Sequence, residues 1–471
     1  MKKNIELIRN TIIIFLGKAS TQLISLLLLP IYTRYLNTSE YGTVDLIITY
    51  VTLLVPVVAL QLEMAVFRFL IDSRDDEDEQ EVIISSVATM LFFLIIIFVF
   101  IYLIGTSFFD YKYKYKYITI FNIVFMLMYS VSLQICRGVG KNIKYSIASS
   151  ISGLTNVVFS IVFVIFLRFG GLGVLISSCI GNLFATIYII VSLNTLKHIK
   201  IKKFSKEKSK ELLAYSIPLI PDSVSWWIVN ASDRTIISLI LNVAENGIYA
   251  VANKFSSIYT GVFNVFSLSW NESLSVHIND EDAEQYINNV YGYVFRFFFS
   301  ISMLIVCAMP IIGGIFITND YNEAYLHIPI LMFAAFINVL STYISAIYFA
   351  KKKTKQIAKT SLIGALINII INISLIKEIG LFAASISTLL SYLILFIYRY
   401  IDTKRYFKID IFRRDKIVSI IYGIIVVWIY YLDNMILNYL NFIILLLFIL
   451  IVNKNDIKKL ILFIHKRVKL G

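Results

Sequence analysis

Residues Leu36 to Gly42 read LNTSEYG, and residues Leu241 to Gly247 read LNVAENG. Leu, Asn, Glu and Gly recur at the same four places, 205 positions apart. Each heptapeptide is a short polar connector between two long apolar runs. At the same offset, DDEDEQ (Asp75–Gln80) falls on DEDAEQ (Asp280–Gln285) without a gap. Farther on, KYSIASSISGL (Lys144–Leu154) resembles KQIAKTSLIGA (Lys355–Ala365), with Gly153 on Gly364, and Gly-Leu at Gly171 matches Gly-Leu at Gly380. One four-residue match is common by chance. Two matches on one offset, each in like surroundings, read as an internal duplication.

The runs between these landmarks set the class. Of 471 residues, 58% are hydrophobic and only 15% charged, too little polar surface for a soluble chain of this length. Apolar blocks of about 18 residues or more are membrane-span candidates, since about 20 helical residues cross the hydrocarbon core. No segment shows the alternation of a barrel strand. The chain therefore reads as an all-α polytopic membrane protein with about fourteen spans: 11–33, 43–70, 82–104, 118–136, 145–167, 172–194, 215–240, 247–272, 289–317, 326–349, 360–376, 380–400, 417–432 and 436–452. Lys2, Lys3 and Arg9 resemble a signal-peptide n-region. Lys18 and Gln22 interrupt the run that follows, which continues to Tyr32 without a small-residue cleavage site, so it reads as an uncleaved first span.

Six spans per half is an even number, so both halves enter the membrane in the same direction. Parallel repeats of this kind are related by an axis along the membrane normal. The expected organisation is a six-helix lobe over 1–196, a basic linker over 197–214, a second six-helix lobe over 215–400, and two further helices with a basic tail over 401–471. Lysine and arginine set the orientation. With the N-terminus inside, 32 of the 43 fall in inside segments and 6 in outside loops, a strong positive-inside bias. Both termini are expected in the cytoplasm, and the net charge of +13 belongs to loops facing an anionic leaflet rather than to nucleic-acid binding.

Motifs for catalysis or cofactor binding are missing. RGVGKN (Arg137–Asn142) lacks the upstream Gly and the Ser/Thr of a phosphate-binding loop. The four His are scattered, and Cys136, Cys179 and Cys307 lie in apolar spans as small core residues. No loop is long enough to hold a catalytic domain. The expectation is a protein that is not an enzyme and has no cofactor or metal.

The informative residues are ionisable groups inside spans, each costly in lipid. They are Lys18, Asp45, Glu63, Arg68, Asp222, Asp233, Arg234, Lys254, Glu272 and Arg296. Nine fall on spans 1, 2, 7 and 8, which correspond under the repeat. Asp45, Arg68 and Glu272 are close enough to span ends to snorkel. Asp233 and Arg234 are adjacent, so their side chains diverge by about 100°. Lys18, Arg68, Arg234, Lys254 and Arg296 are the candidate substrate-binding cations; Glu63, Asp222 and Asp233 are candidates for ion coupling. PLIPDS (Pro218–Ser223) is expected to break the start of span 7 beside Asp222. Trp226 and Trp227 could stack on sugar rings or simply pack.

GKASTQLISLLLLPIYTRYLNTSEYGTVDL (Gly17–Leu46) and YSIPLIPDSVSWWIVNASDRTIISLILNVAENGIYAVANK (Tyr215–Lys254) resemble the polysaccharide-exporter and oligosaccharide-flippase branch of the multidrug/oligosaccharidyl-lipid/polysaccharide exporter superfamily. The resemblance implies a two-lobed alternating-access carrier in the bacterial cytoplasmic membrane. Its implied cargo is a polyprenyl-diphosphate-linked oligosaccharide for capsule or O-antigen synthesis, with polysaccharide polymerases and glycosyltransferases as working partners. Lipid II flippases of the superfamily carry Arg on their first, second and eighth spans; here those spans offer Lys18, Arg68 and Lys254. The alternatives are a multidrug cation antiporter of the same superfamily, which would favour an acidic cavity, and a membrane-embedded polymerase or glycosyltransferase, which would need a catalytic loop.

Overall fold

A computed structural model describes residue 24 and residues 26–108, 114–411 and 413–454. Lys18 lies outside these residues, as do the side chains of Asp222 and Trp226. The described chain is helical, and among the described residues ten helices are long and apolar enough to cross a membrane. Their apolar faces point outward as well as inward. On Glu77–Phe108, Phe92, Phe93, Ile96, Ile97, Phe100 and Ile101 are all exposed, the arrangement of a helix solvated by lipid rather than water.

The second span is not the single helix that residues 43–70 suggest. It divides into Thr38–Val58 and Leu62–Asp72. The first piece ends in a Schellman motif: the Gln61 amide donates to the Pro56 carbonyl at 2.9 Å and the Leu60 amide to Val57 at 3.1 Å. Leu60 and Gln61 both take left-handed backbone angles, φ 50° and 58°, where glycine is usual and an L side chain costs about 1–2 kcal/mol. Span 7 is broken as PLIPDS suggests. A 3₁₀ turn, Ile217–Leu219, joins Lys206–Ser216 to Ile220–Ile240.

The duplication is visible in local geometry. Asn37 caps Thr38–Val58 by accepting from the Glu40 amide at 2.8 Å, and Asn242 accepts from the Glu245 amide at 2.9 Å at the start of Val243–His277. The conserved spacing of Asn and Glu within each connector is thus the spacing of an N-cap. One pairing from the sequence shifts by a residue. Gly380 (φ 56°, ψ −136°) matches Gly170 (φ 59°, ψ −138°), not Gly171, because each precedes its helix in a region open essentially to glycine alone.

The chain divides into two compact units, residues 1–238 with 242–247, and residues 239–241 with 248–471. In the first, Gly171–Ser192 packs on Asn142–Ser160 and Lys116–Gly138 around Cys136, Tyr145, Ala148, Ala185 and Ile189. In the second, Leu381–Thr403 packs on Ala324–Ala350 and Thr354–Ile379. Aromatic rings fill its core: Phe299 lies parallel to Phe295, both meet Phe336 edge-on, and Trp270 stacks on Tyr343 at 4.7 Å. Such pairs add about 0.5–1.5 kcal/mol each beyond area burial.

Candidate translocation seam

Within the first unit, the second and seventh spans run antiparallel and are joined by polar contacts along their length. The Arg234 Nε donates to Asp45 Oδ2 at 2.8 Å, with both side chains mostly buried. One turn on, the Trp227 indole N–H donates to the Thr49 carbonyl at 2.8 Å, and the ring stacks on Tyr50. Tyr50 and Thr235 share a hydrogen bond of 3.1 Å. At the helix break, the Gln61 side-chain amide donates to the Ser223 hydroxyl. Gln61 is therefore both the hinge of span 2 and its tie to span 7.

The two connectors close one end of this seam. Buried Asn246 donates from Nδ2 to the Gly42 carbonyl at 2.9 Å. A Cβ on Gly42 would overlap the Val243 carbonyl, and one on Gly247 would overlap the Thr38 carbonyl. Both glycines sit here so that backbone can meet backbone. The two copies of the duplicated motif are thus each other's packing partner.

The predicted residues take distinct places. Arg234 and Asp45 meet. Asp45 is thus held in an ion pair rather than snorkelling. Asp233 is buried beside them in sequence. Glu63 is buried in the first turn after the span-2 break, and its Oε2 has no hydrogen-bond partner. Arg68 lies farther along that helix, half exposed and bonded to Asp72 at 2.5 Å. Lys254 is half-buried on Val243–His277. Arg296, in the second unit, lies 4.0 Å from Asp415 and over the Tyr293 ring. Trp227 is a packing residue of the seam, not an open platform for sugars.

Sequence reading missed Leu60 and Gln61, which carry no turn signature. It also missed the linker's anchor. Glu81 binds Lys200 at 2.8 Å and Lys203 at 2.7 Å, Lys203 also reaches Asp78, and Lys208 reaches Glu79 at 2.7 Å. Asp78 and then Glu81 hold the Lys203 ammonium above the ordinary lysine range. Opposite charge runs at 75–81 and 200–210 were the available signal. Among the described residues no group of three or more side chains could hold a metal ion.

The family described as polysaccharide biosynthesis protein matches residues 7–270, more than half the chain. The chain belongs to that family. No curated protein matches it by sequence. Among solved structures, this family member is similar to "Lipid II flippase MurJ, inward closed conformation", with TM-score 0.71 and 18% identity over 96% of this chain and 100% of that one. It is also similar to an inward-facing multidrug resistance MATE family transporter of the MOP superfamily, with TM-score 0.67 and 14% identity over 82% and 95%. An outward-facing MATE transporter gives 0.59 and 13% over 85% and 95%. At these identities the likeness establishes the fold alone, which this chain shares with these proteins.

Proposed function

We propose that this protein is a flippase that moves a polyprenyl-diphosphate-linked oligosaccharide from the cytoplasmic to the outer leaflet by alternating access. The observation that carries the reading is a polysaccharide-biosynthesis family chain folded, over 96% of its length, like a lipid II flippase. The chemistry supports it. A diphosphate carries about two negative charges and cannot cross hydrocarbon unaided. Lys18, Arg68, Arg234, Lys254 and Arg296 offer cations at several depths, and the lipid tail can stay in the bilayer. The protein works as a carrier and not as an enzyme.

In this reading both termini are cytoplasmic and the connectors face outward. The seam of spans 2 and 7 is then the outer barrier, and it must part to release cargo. Its strength suits a gate. Side-chain hydrogen bonds between membrane helices average about 0.6 kcal/mol, so four of them supply about 2–3 kcal/mol. An anionic cargo moving outward gains about 2.3 kcal/mol per charge per 100 mV. Two charges gain roughly twice that, enough to offset the neutral bonds. Glu63, Asp222 and Asp233 are the residues that could add a proton or Na⁺ step.

A multidrug cation antiporter is the second reading, favoured by the MATE fold likeness. Deleting the gene in its native host separates the two. Loss of a surface glycan with accumulation of its lipid-linked precursor supports the flippase. An intact glycan with heightened sensitivity to cationic drugs supports the antiporter.

A further inference from the structure

The duplication assigns each half an acidic segment: Asp75–Gln80 leads into Glu77–Phe108, and Asp280–Gln285 leads into Ala283–Phe316. Both segments hold the linker that follows the sixth helix of their half. In the first half the linker's lysines fill the acids, as Lys200, Lys203 and Lys208 do for Asp78, Glu79 and Glu81. In the second half the linker is gripped by its backbone. The Lys408 amide donates to Glu284 Oε2 at 3.0 Å, the Asp410 amide to Asn288 Oδ1 at 2.8 Å, and Asn288 Nδ2 to the Lys408 carbonyl at 2.8 Å.

Four of the second linker's cations have partners of their own, two of them, Arg413 and Lys416, inside the cavity that they help to line. Lys404 lies over Tyr400, Arg405 bonds Asp402, Arg413 bonds Asp415, and Lys416 is buried against Tyr291 and the Asp410 carbonyl. What remains is a cavity of 580 Å³ whose lining includes five acids, Glu281, Asp282, Glu284, Asp410 and Asp415, against three bases, Arg296, Arg413 and Lys416. Glu281 and Asp282 are exposed, and no ion pair engages either among the described residues.

We propose that this cavity is the docking site of the chain's own basic C-terminal segment, residues 454–471. Three observations support that occupant. The segment starts at the cavity: Asn453 donates to the Ser300 hydroxyl, which donates to the Arg296 carbonyl, and Arg296 lines the cavity. The helix that precedes it, Met435–Val452, packs on Ala283–Phe316 and ends where Asn453 meets Ser300, one turn from the lining residue Arg296. Its charge is complementary, with Lys454, Lys458, Lys459, Lys466, Arg467 and Lys469 against one acid, Asp456. Reach is no obstacle. Ser300 to Glu284 spans about 24 Å of helix, and eighteen residues cover about 27 Å as a helix or more when extended.

The experiment uses the full chain in zwitterionic nanodiscs. Glu284→Cys is paired with Lys466→Cys, and Asn289→Cys with Lys458→Cys, the native cysteines being buried. Disulfide formation under mild oxidant is followed by loss of maleimide-PEG labelling. The control joins Lys458→Cys to Lys355→Cys. Docking predicts that at least one cavity pair forms five-fold or more faster than the control and slows as salt rises from 50 to 500 mM. Cavity pairs no faster than the control overturn the proposal. So does a tail cysteine protected from labelling only when anionic lipid is added, because the segment then binds the leaflet. A spin label at Lys466→Cys alone serves if a paired variant fails to fold. Immobilisation relieved by Glu281→Gln with Glu284→Gln supports docking, and free tumbling contradicts it.

Discussion

The backbones of Gly42 and Gly247, 205 residues apart, fit into the space each leaves by having no side chain. Each is the fifth residue of the helix capped by its own connector asparagine. Any added carbon meets main chain, which cannot rotate away. Gly42→Ala and Gly247→Ala should each destabilise the protein by about 1–3 kcal/mol, the usual cost of overpacking. Thermal melts in detergent should show a clearly lower midpoint for both. A midpoint equal to wild type for either would show that the connectors do not meet this closely.

Arg234 admits two roles, and a pair of substitutions separates them. As the partner of Asp45 it fastens spans 2 and 7. Removing one member of a mostly buried pair strands the other charge, so each single neutralisation should harm stability more than removing both. Asp45→Asn with Arg234→Gln should therefore be more stable than either single variant. If Arg234→Gln alone abolishes transport while Asp45→Asn is harmless in both stability and transport, Arg234 serves the cargo instead.

Glu81 anchors two linker lysines at once. Glu81→Gln should free the 197–214 linker. Trypsin should then cut between Lys200 and Lys210 several-fold faster, and high salt should produce part of the same effect in wild type because exposed pairs are screened. Unchanged cleavage would show that the hydrogen bonds from Lys200 and Ser205 amides to Ser85 and Ser86 hold the linker without the charges.

Much of this was legible in the sequence. Long apolar runs gave the spans because lipid permits little besides helices there, and the repeat marked two polar connectors, though only the structure shows that the Asn of each caps the helix that follows. The break in span 2 was not legible. Leu60 and Gln61 are poor left-handed residues, held so by the tie of Gln61 to Ser223, a partner 162 positions away. Asp45 and Arg234 stood out as charges, but one dimension cannot show which distant charges meet. Lys254 and Glu63 drew notice for being costly in lipid. Burial of Glu63 with an unbonded Oε2 adds a reason that periodicity lacks.

Orientation has its own test. Lys206→Cys should resist an impermeant thiol reagent in intact cells, while a cysteine at Thr38 should react. Labelling at 206 from outside would invert the assignment and with it the direction of transport.

The central claim is that the protein carries a lipid-linked diphosphate sugar across the bilayer. Purified protein in liposomes, with a fluorescent polyprenyl-diphosphate oligosaccharide in both leaflets, tests this directly. A K⁺-valinomycin potential without a pH or Na⁺ gradient should enrich the probe in the positive-side leaflet, and Lys254→Ala should slow the enrichment by at least ten-fold. If the probe stays evenly distributed under potential, pH and Na⁺ gradients alike, in liposomes whose protein is folded and oriented, the protein is not a flippase for this cargo.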